Sequence, residues 1–172
     1  MKSDPCQISV VVKIIVRKDD NYLMLREPKT NDWMPGRLGF PGGKVVANET
    51  VSDAIGRKIS SEIGLTVNPV GIVKIINILM PGSTIYYYVV LADYVEGIFG
   101  EIKVESDFLK WYSANDIKNL SKDEYTEYFN DDVLSELISG KSVIFPLDLI
   151  QTQDNRMGEP LAWMKRGSHQ LK

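Results

Sequence analysis

Residues 42–65 read GGKVVANETVSDAIGRKISSEIGL and constrain the fold more than any other stretch. Val51, Ile55, Ile59 and Ile63 recur every four residues, which predicts one apolar stripe along a helix over Thr50–Ile63. Thr50 can cap its start, with Asp53 three residues on as the capping-box partner. Gly64 suits a left-handed C-terminal cap. Gly56 opposes the helix by about 1 kcal/mol relative to alanine. Such a stripe must be buried against another layer. Glu49, Arg57, Lys58, Ser61 and Glu62 remain on the polar side, next to the glycines at 42 and 43. A glycine turn, a carboxylate and an arginine in this order can meet a phosphate-bearing ligand.

The flanking segments supply that layer. Ile8–Val16 is rich in Ile and Val and reads as a buried strand, and Tyr22–Arg26 returns as a second after the Asp19-Asp20-Asn21 turn. Glu27–Gly39 reads as a loop leading through Leu38–Phe40 into a Pro41-Gly42-Gly43 turn. Val70–Leu79 and Thr84–Tyr94 flank Pro81-Gly82 and read as a long antiparallel pair. Glu96–Gly100 is a loop, Ile102–Val104 and Leu109–Tyr112 are short strands, and Asn115–Leu120 and Asp132–Ser139 are helices, the last closed by Gly140. Strands around one central helix argue for α/β (α+β) architecture, a mixed sheet between helices. Residues 1–150 are expected to form one domain and 151–172 a partly ordered tail.

Several functions are made improbable by composition. The net charge of -3 gives no electrostatic reason for general nucleic-acid binding. The single cysteine, Cys6, allows no intrachain disulfide, which fits a reducing cytoplasm. The only histidine, His169, lies in the tail and receives no role. The run Ile8–Val16 carries Lys13 and is too short to cross a bilayer, and no signal peptide is expected.

Gly43, Glu49, Arg57, Ile59, Glu62, Gly64 and Leu65 match in register the Nudix box: Gly, five residues, Glu, seven residues, Arg-Glu, an aliphatic, any residue, Glu-Glu, any residue, Gly, an aliphatic. The chain therefore resembles the Nudix (MutT-like) hydrolases. Phe40-Pro41-Gly42-Gly43-Lys44-Val45 is similar to the usual entry to the box, and residues 108–117 to a late strand and short helix of the family. The resemblance covers roughly residues 8–140. It implies a Nudix fold and metal-dependent hydrolysis of a diphosphate bond in a nucleoside diphosphate-linked substrate. It also implies magnesium or manganese on the helix acids, with a glycine-turn carbonyl, here Gly42, completing the cage. A homodimer through the sheet would follow family habit.

Two box positions depart from this pattern. Lys58 and Ser61 stand where the family has glutamates, leaving a single acid, Glu62, of the pair. The expected metal ligands are then Glu62, Gly42 and Ser61, and the expected catalytic residues are Glu62 and Arg57, with Glu105 as a loop acid. Glu101 and Asp107 are weaker alternatives to Glu105. Lys58 has three readings: a surface ion pair with Glu62 four residues on, a counter-charge for phosphate in place of a metal, or a bystander to a site completed by loop acids. Arg37 and Lys44 lie near the glycines and could contact phosphates. Tyr86 and Tyr88 share a strand face and could stack on a base, although core or interface packing is the stronger reading. Trp33 reads as structural. Two functions follow: a pyrophosphohydrolase of reduced activity, or a catalytically silent Nudix module that binds a nucleotide, an RNA end or a partner protein.

Overall fold

The structure, a computed structural model, describes residues 7–30, 34–98, 108–125 and 131–150. Cys6, Trp33, Glu101, Ile102–Val104, Glu105, Asp107, His169 and the tail from 151 lie outside these residues. Its strands are β1 (Gln7–Lys18), β2 (Asn21–Arg26), β3 (Leu38–Gly39), β4 (Gly42–Lys44), β5 (Leu65–Met80), β6 (Ser83–Gly97) and β7 (Phe108–Ser113). The helices are α1 (Val51–Gly56), α2 (Ala114–Lys118) and α3 (Asp131–Ile138).

One mixed sheet runs β3-β2-β1-β6-β5, with β4 added to β1 and β7 to β2. The parallel pair β1–β6 holds its register from Gln7↔Ser83 to Arg17↔Asp93. Strand alternation then divides the core in two. Val12, Ile14 and Val16 of β1 and Leu23 and Leu25 of β2 pack on Val51, Ala54, Ile55, Ile59 and Ile63. Ile15, Tyr22 and Met24 face the other way, onto Ile117, Val133, Leu134 and Leu137. Both sheet faces are covered by helix, as a buried parallel pair requires.

The helix after the glycines is shorter than its apolar period predicts. Thr50 caps it with the expected box: its hydroxyl accepts from the Asp53 amide, and the Asp53 carboxylate accepts from the Thr50 amide. The α-helix ends at Gly56, and residues 57–61 form a π-helical turn. Glu62 N donates to Arg57 O at 3.2 Å, and Gly64 N to Ile59 O at 3.0 Å. Wider turns retain Ile59 and Ile63 in the core, so the stripe is equally legible in either helix type. Gly64 takes the left-handed conformation, φ 86°, that ends the segment.

Strand pairing revises three other expectations. Gly42–Lys44 is a short strand on β1, not a turn, with Val11↔Lys44, Val12↔Gly43 and Lys13↔Gly42 opposed. A Cβ on Gly42 would lie 2.1 Å from Val12 O, so the close approach needs glycine. Leu38–Gly39 also pairs, with β2. The hairpin β5–β6 extends beyond both predicted ends, because Leu65↔Gly97 and Thr66↔Glu96 continue the ladder into residues read as a loop.

The chain's last described segment was not anticipated. Phe145 exchanges both backbone bonds with Ile72 on the outer edge of β5, at 2.7 and 2.9 Å. A short turn, Leu147–Leu149, then folds over the α1 face. Gly71 sits at a bulge and admits this crossing: a Cβ there would lie 2.4 Å from Phe145 O and 2.7 Å from Ile144 Cγ2. Gly71→Val should therefore lower stability in urea unfolding by about 1–3 kcal/mol through overpacking. Gly56→Ala, whose added methyl meets nothing within 4 Å, should raise it by about 0.5–1 kcal/mol.

Candidate active site

The polar residues around α1 converge on one guanidinium. Arg57 donates from Nε to Glu49 Oε1 at 2.7 Å and from Nη2 to Glu49 Oε2 at 2.8 Å, a two-bond fork. Nη2 also donates to Lys44 O at 3.1 Å, and Nη1 to Glu62 Oε1 at 3.3 Å. Glu49 Oε2 accepts a further bond from Val46 N at 3.0 Å. The Arg57 hydrogen bonds pull the Glu49 pKa from an ordinary 4.5 down to about 2, and the same pairing raises that of Arg57.

The π turn makes the Arg57–Glu62 contact. In an α-helix, five residues span about 500°, which would leave these side chains about 140° apart. The i→i+5 turn rewinds that angle and brings them to one side. Lys58 joins them at the i,i+4 spacing: its Nζ lies 2.9 Å from Glu62 Oε1 and 3.0 Å from Oε2. The ammonium also lies over β4. A Cβ on Gly43 would be 2.5 Å from Lys58 Cε and 2.9 Å from Nζ. Gly43 is thus the floor on which Lys58 lies, and Glu62 is the wall.

A second lysine packs on Gly42 from the other face of the sheet, the face that carries Ile15 and Val89. Lys13 opposes Gly42 across the β1–β4 ladder, with its Cδ 3.1 Å from where a Gly42 Cβ would be. Burial lowers its pKa; the nearby Glu27 carboxylate resists this, and the positive charge of Lys58 adds to it. Lys13 forms no ion pair or side-chain hydrogen bond with any described residue. Sequence reasoning passed over this residue, although a lysine inside an Ile/Val strand was the available signal.

The donor set can be tested against a divalent cation. Among the described residues no three His, Cys, Asp or Glu side chains gather to hold one. Both Glu49 oxygens are held by Arg57, and both Glu62 oxygens lie on the Lys58 ammonium. Ser61 is exposed, and among the described residues no side-chain hydrogen bond joins it to the cluster. The Gly42 carbonyl does point the required way. Pro41 O and Val45 N bond to β1, so alternation turns the carbonyls of 42 and 44 outward, and that of Lys44 meets Arg57. One outward carbonyl and one carboxylate already neutralised by an ammonium do not fit a hard dication, which takes six or more oxygens. Glu101, Glu105 and Asp107 lie outside the described residues.

The remaining predicted residues are dispersed. Lys44 contributes its carbonyl, while its side chain is exposed. Arg37 donates to Tyr125 O at 3.2 Å, beside the core under α2 and α3. Tyr88 lines a cleft of about 650 Å³ with Ile72, Ile75, Phe145, Leu149 and Ile150. That cleft shares the α1 face of the sheet: Gly43, Val12, Tyr88 and Ile75 stand in one row across four strands. Tyr86 stands two residues back along β6, outside the cleft.

The site is thus an arginine-clamped loop and helix after a glycine strand, set on a mixed sheet between helices. The NUDIX domain family model matches residues 7–133, and the chain belongs to the Nudix family. It is similar to nudix hydrolase 1 of Caenorhabditis elegans, 29% identical over 116 residues, which are 63% of this chain and 30% of that protein. The Nudix hydrolase YvcI of Bacillus subtilis is 29% identical over 114 residues, 64% of this chain and 69% of that one. The 8-oxo-dGTP diphosphatase of Escherichia coli is 33% identical over 52 residues, 30% of this chain and 40% of that one. The chain thus spans less than half the length of two of these relatives. Among solved structures, a NUDIX hydrolase from Nitrosomonas europaea superposes with a TM-score of 0.70 at 20% identity, covering 86% of this chain and 98% of that one. The MutT protein of Methanosarcina mazei superposes with a TM-score of 0.66 at 22% identity, covering 80% and 98%. These likenesses establish the fold. No helix among the described residues is long and apolar enough to cross a membrane.

The Glu49 clamp has a pH signature. Its folded pKa lies below its unfolded one, so its stabilisation is complete above about pH 4.5 and is lost as pH falls towards 2. Glu49→Gln should cost on the order of 1–2 kcal/mol at pH 7 in urea unfolding. The variant should also lose less stability than the parent between pH 4.5 and 2.

Proposed function

We propose that this protein recognises a nucleoside diphosphate-linked molecule at the Gly42–Glu62 site and hydrolyses its diphosphate slowly at best. Family membership supports the ligand class and the pyrophosphohydrolase type of chemistry. One observation supports the reduced activity: the Lys58 ammonium rests on Gly43 and spans both oxygens of Glu62. The place where a magnesium or manganese ion would meet that acid is filled by a covalently attached cation. When bound in such a site, a dication neutralises phosphate charge and activates the attacking water. An ammonium supplies the first effect without the second. The diphosphate would lie along the glycine strand, with its nucleoside end towards the apolar cleft beside Tyr88 on the same sheet face. Arg57 and Glu49 hold the frame, and Glu62 orients Lys58. The single cysteine accords with a reducing, cytoplasmic setting.

A metal-dependent hydrolase remains the second reading, favoured by the retained Glu49–Arg57–Glu62 arrangement. It requires acids from residues 101–107, Glu105 first. Turnover of a panel of nucleoside diphosphate derivatives with magnesium and manganese separates the two. The parent protein should turn over at least tenfold more slowly than Lys58→Glu/Ser61→Glu, which restores the helix acids and should gain manganese affinity by calorimetry. Rapid parental turnover abolished by Glu62→Gln would sink the proposal.

A further inference from the structure

We infer that the outer edge of β5 from Lys74 to Met80 pairs with the same segment of a second copy of this chain, antiparallel and centred on Asn77. β5 is the last strand of its sheet, and among the described residues only Phe145 bonds to its outer edge, at Ile72. Past that bridge the strand runs on to Met80, and its outer backbone groups are met by no other described strand. Such an edge is a template for another strand, and Pro, charge or a bulge along it is what keeps copies apart. Here a bulge lies between Ile72 and Lys74, and Pro81 follows Met80, so both devices bracket the open stretch without interrupting it. Within it Ile75 and Leu79 stand 54% and 77% exposed.

The stretch KIINILM matches itself in reverse. About Asn77, Ile76 opposes the partner's Ile78 on one face, and Ile75 opposes the partner's Leu79 on the other. Asn77 meets its own copy, where the two amides can exchange hydrogen bonds. The fold selects the same register independently. Phe145 occupies the edge at Ile72 and the strand ends at Met80, so the ladder left open runs from Lys74 to Met80, with Asn77 at its midpoint. The one charge in the stretch, Lys74, falls at opposite ends of the ladder in the two copies, about 20 Å apart and beyond the range of strong repulsion. An antiparallel ladder of this length exchanges about six to eight backbone bonds. At roughly one bond per 100–200 Å², that corresponds to an interface of roughly 600–1,600 Å², around the ~1,000 Å² that a specific contact needs. The α1 faces of both copies then lie on one side of a continuous sheet. There the partner's Leu79 stands beside Ile75 and extends the wall of the Tyr88 cleft across the seam.

Sedimentation velocity on the full chain tests this, from micromolar to submillimolar concentration, where a reversible monomer–dimer equilibrium should appear. Asn77 is exposed, so Asn77→Asp and Asn77→Lys should fold as the parent does by circular dichroism. Each sets like charges directly opposite one another at the two-fold axis and should weaken dimerisation at least tenfold. An equimolar mixture of the two variants sets Asp against Lys and should restore it to within about threefold of the parent. Variants that dimerise as the parent does, or a mixture that is not restored, would overturn the inference. A parent chain that stays monomeric at every concentration would overturn it too, and would leave this edge to the chain's own residues 151–172 or to a strand of another protein.

Discussion

A single guanidinium holds the site together. Arg57 joins the loop before α1 through Glu49, the end of β4 through the Lys44 carbonyl, and the π turn through Glu62. It ties the glycine strand directly to the helix that packs on the same sheet. The fork to Glu49 is short and only partly exposed, so water competes poorly for it. Both Glu49 oxygens are thereby committed to structure. The cluster's other carboxylate close to the glycines, Glu62, then decides the chemistry, and its partner is Lys58.

The π turn acts on that decision. It lets Glu62 touch both Arg57 and Lys58, five and four residues before it, where a regular helix would favour the second contact alone. It also fixes the direction from which Lys58 approaches Gly43. The sheet adds the other half: because Lys13 and Gly42 are opposed across β1–β4, a lysine within an otherwise apolar strand is delivered to the same backbone. Two elements far apart in sequence thus place like charges at adjacent glycines, one on each face of the sheet.

These arrangements were legible in the sequence to unequal degrees. Spacing from Gly43 to Leu65 was enough for the fold and the central helix, because burial of Val51, Ile55, Ile59 and Ile63 enforces the period. The capping box at Thr50 and the Lys58–Glu62 pair were readable for the same local reason. The π turn was not, since Ile59 and Ile63 are buried in either helix type. Gly42–Gly43 read as a turn because glycine pairs favour turns, whereas the ladder to β1 depends on a strand thirty residues earlier. The contact of Lys13 with Gly42 was hidden by the same non-locality, since it arises only when the ladder forms. The Phe145–Ile72 pairing depends on Gly71 and a bulge, neither of which leaves a periodic trace.

Replacing acids by a lysine changes what the site can do in kind. A dication on several carboxylates keeps a net positive charge and open coordination positions, so it can hold both a phosphate oxygen and a water. An ammonium paired with Glu62 is neutral overall, has three donors, and cannot lower the pKa of a water by coordination. Its attraction for phosphate is therefore weak until a further cation adds to it. Here an ammonium stands over Gly43 and takes up the charge of Glu62. On the proposed reading, that arrangement favours holding a diphosphate over cleaving it.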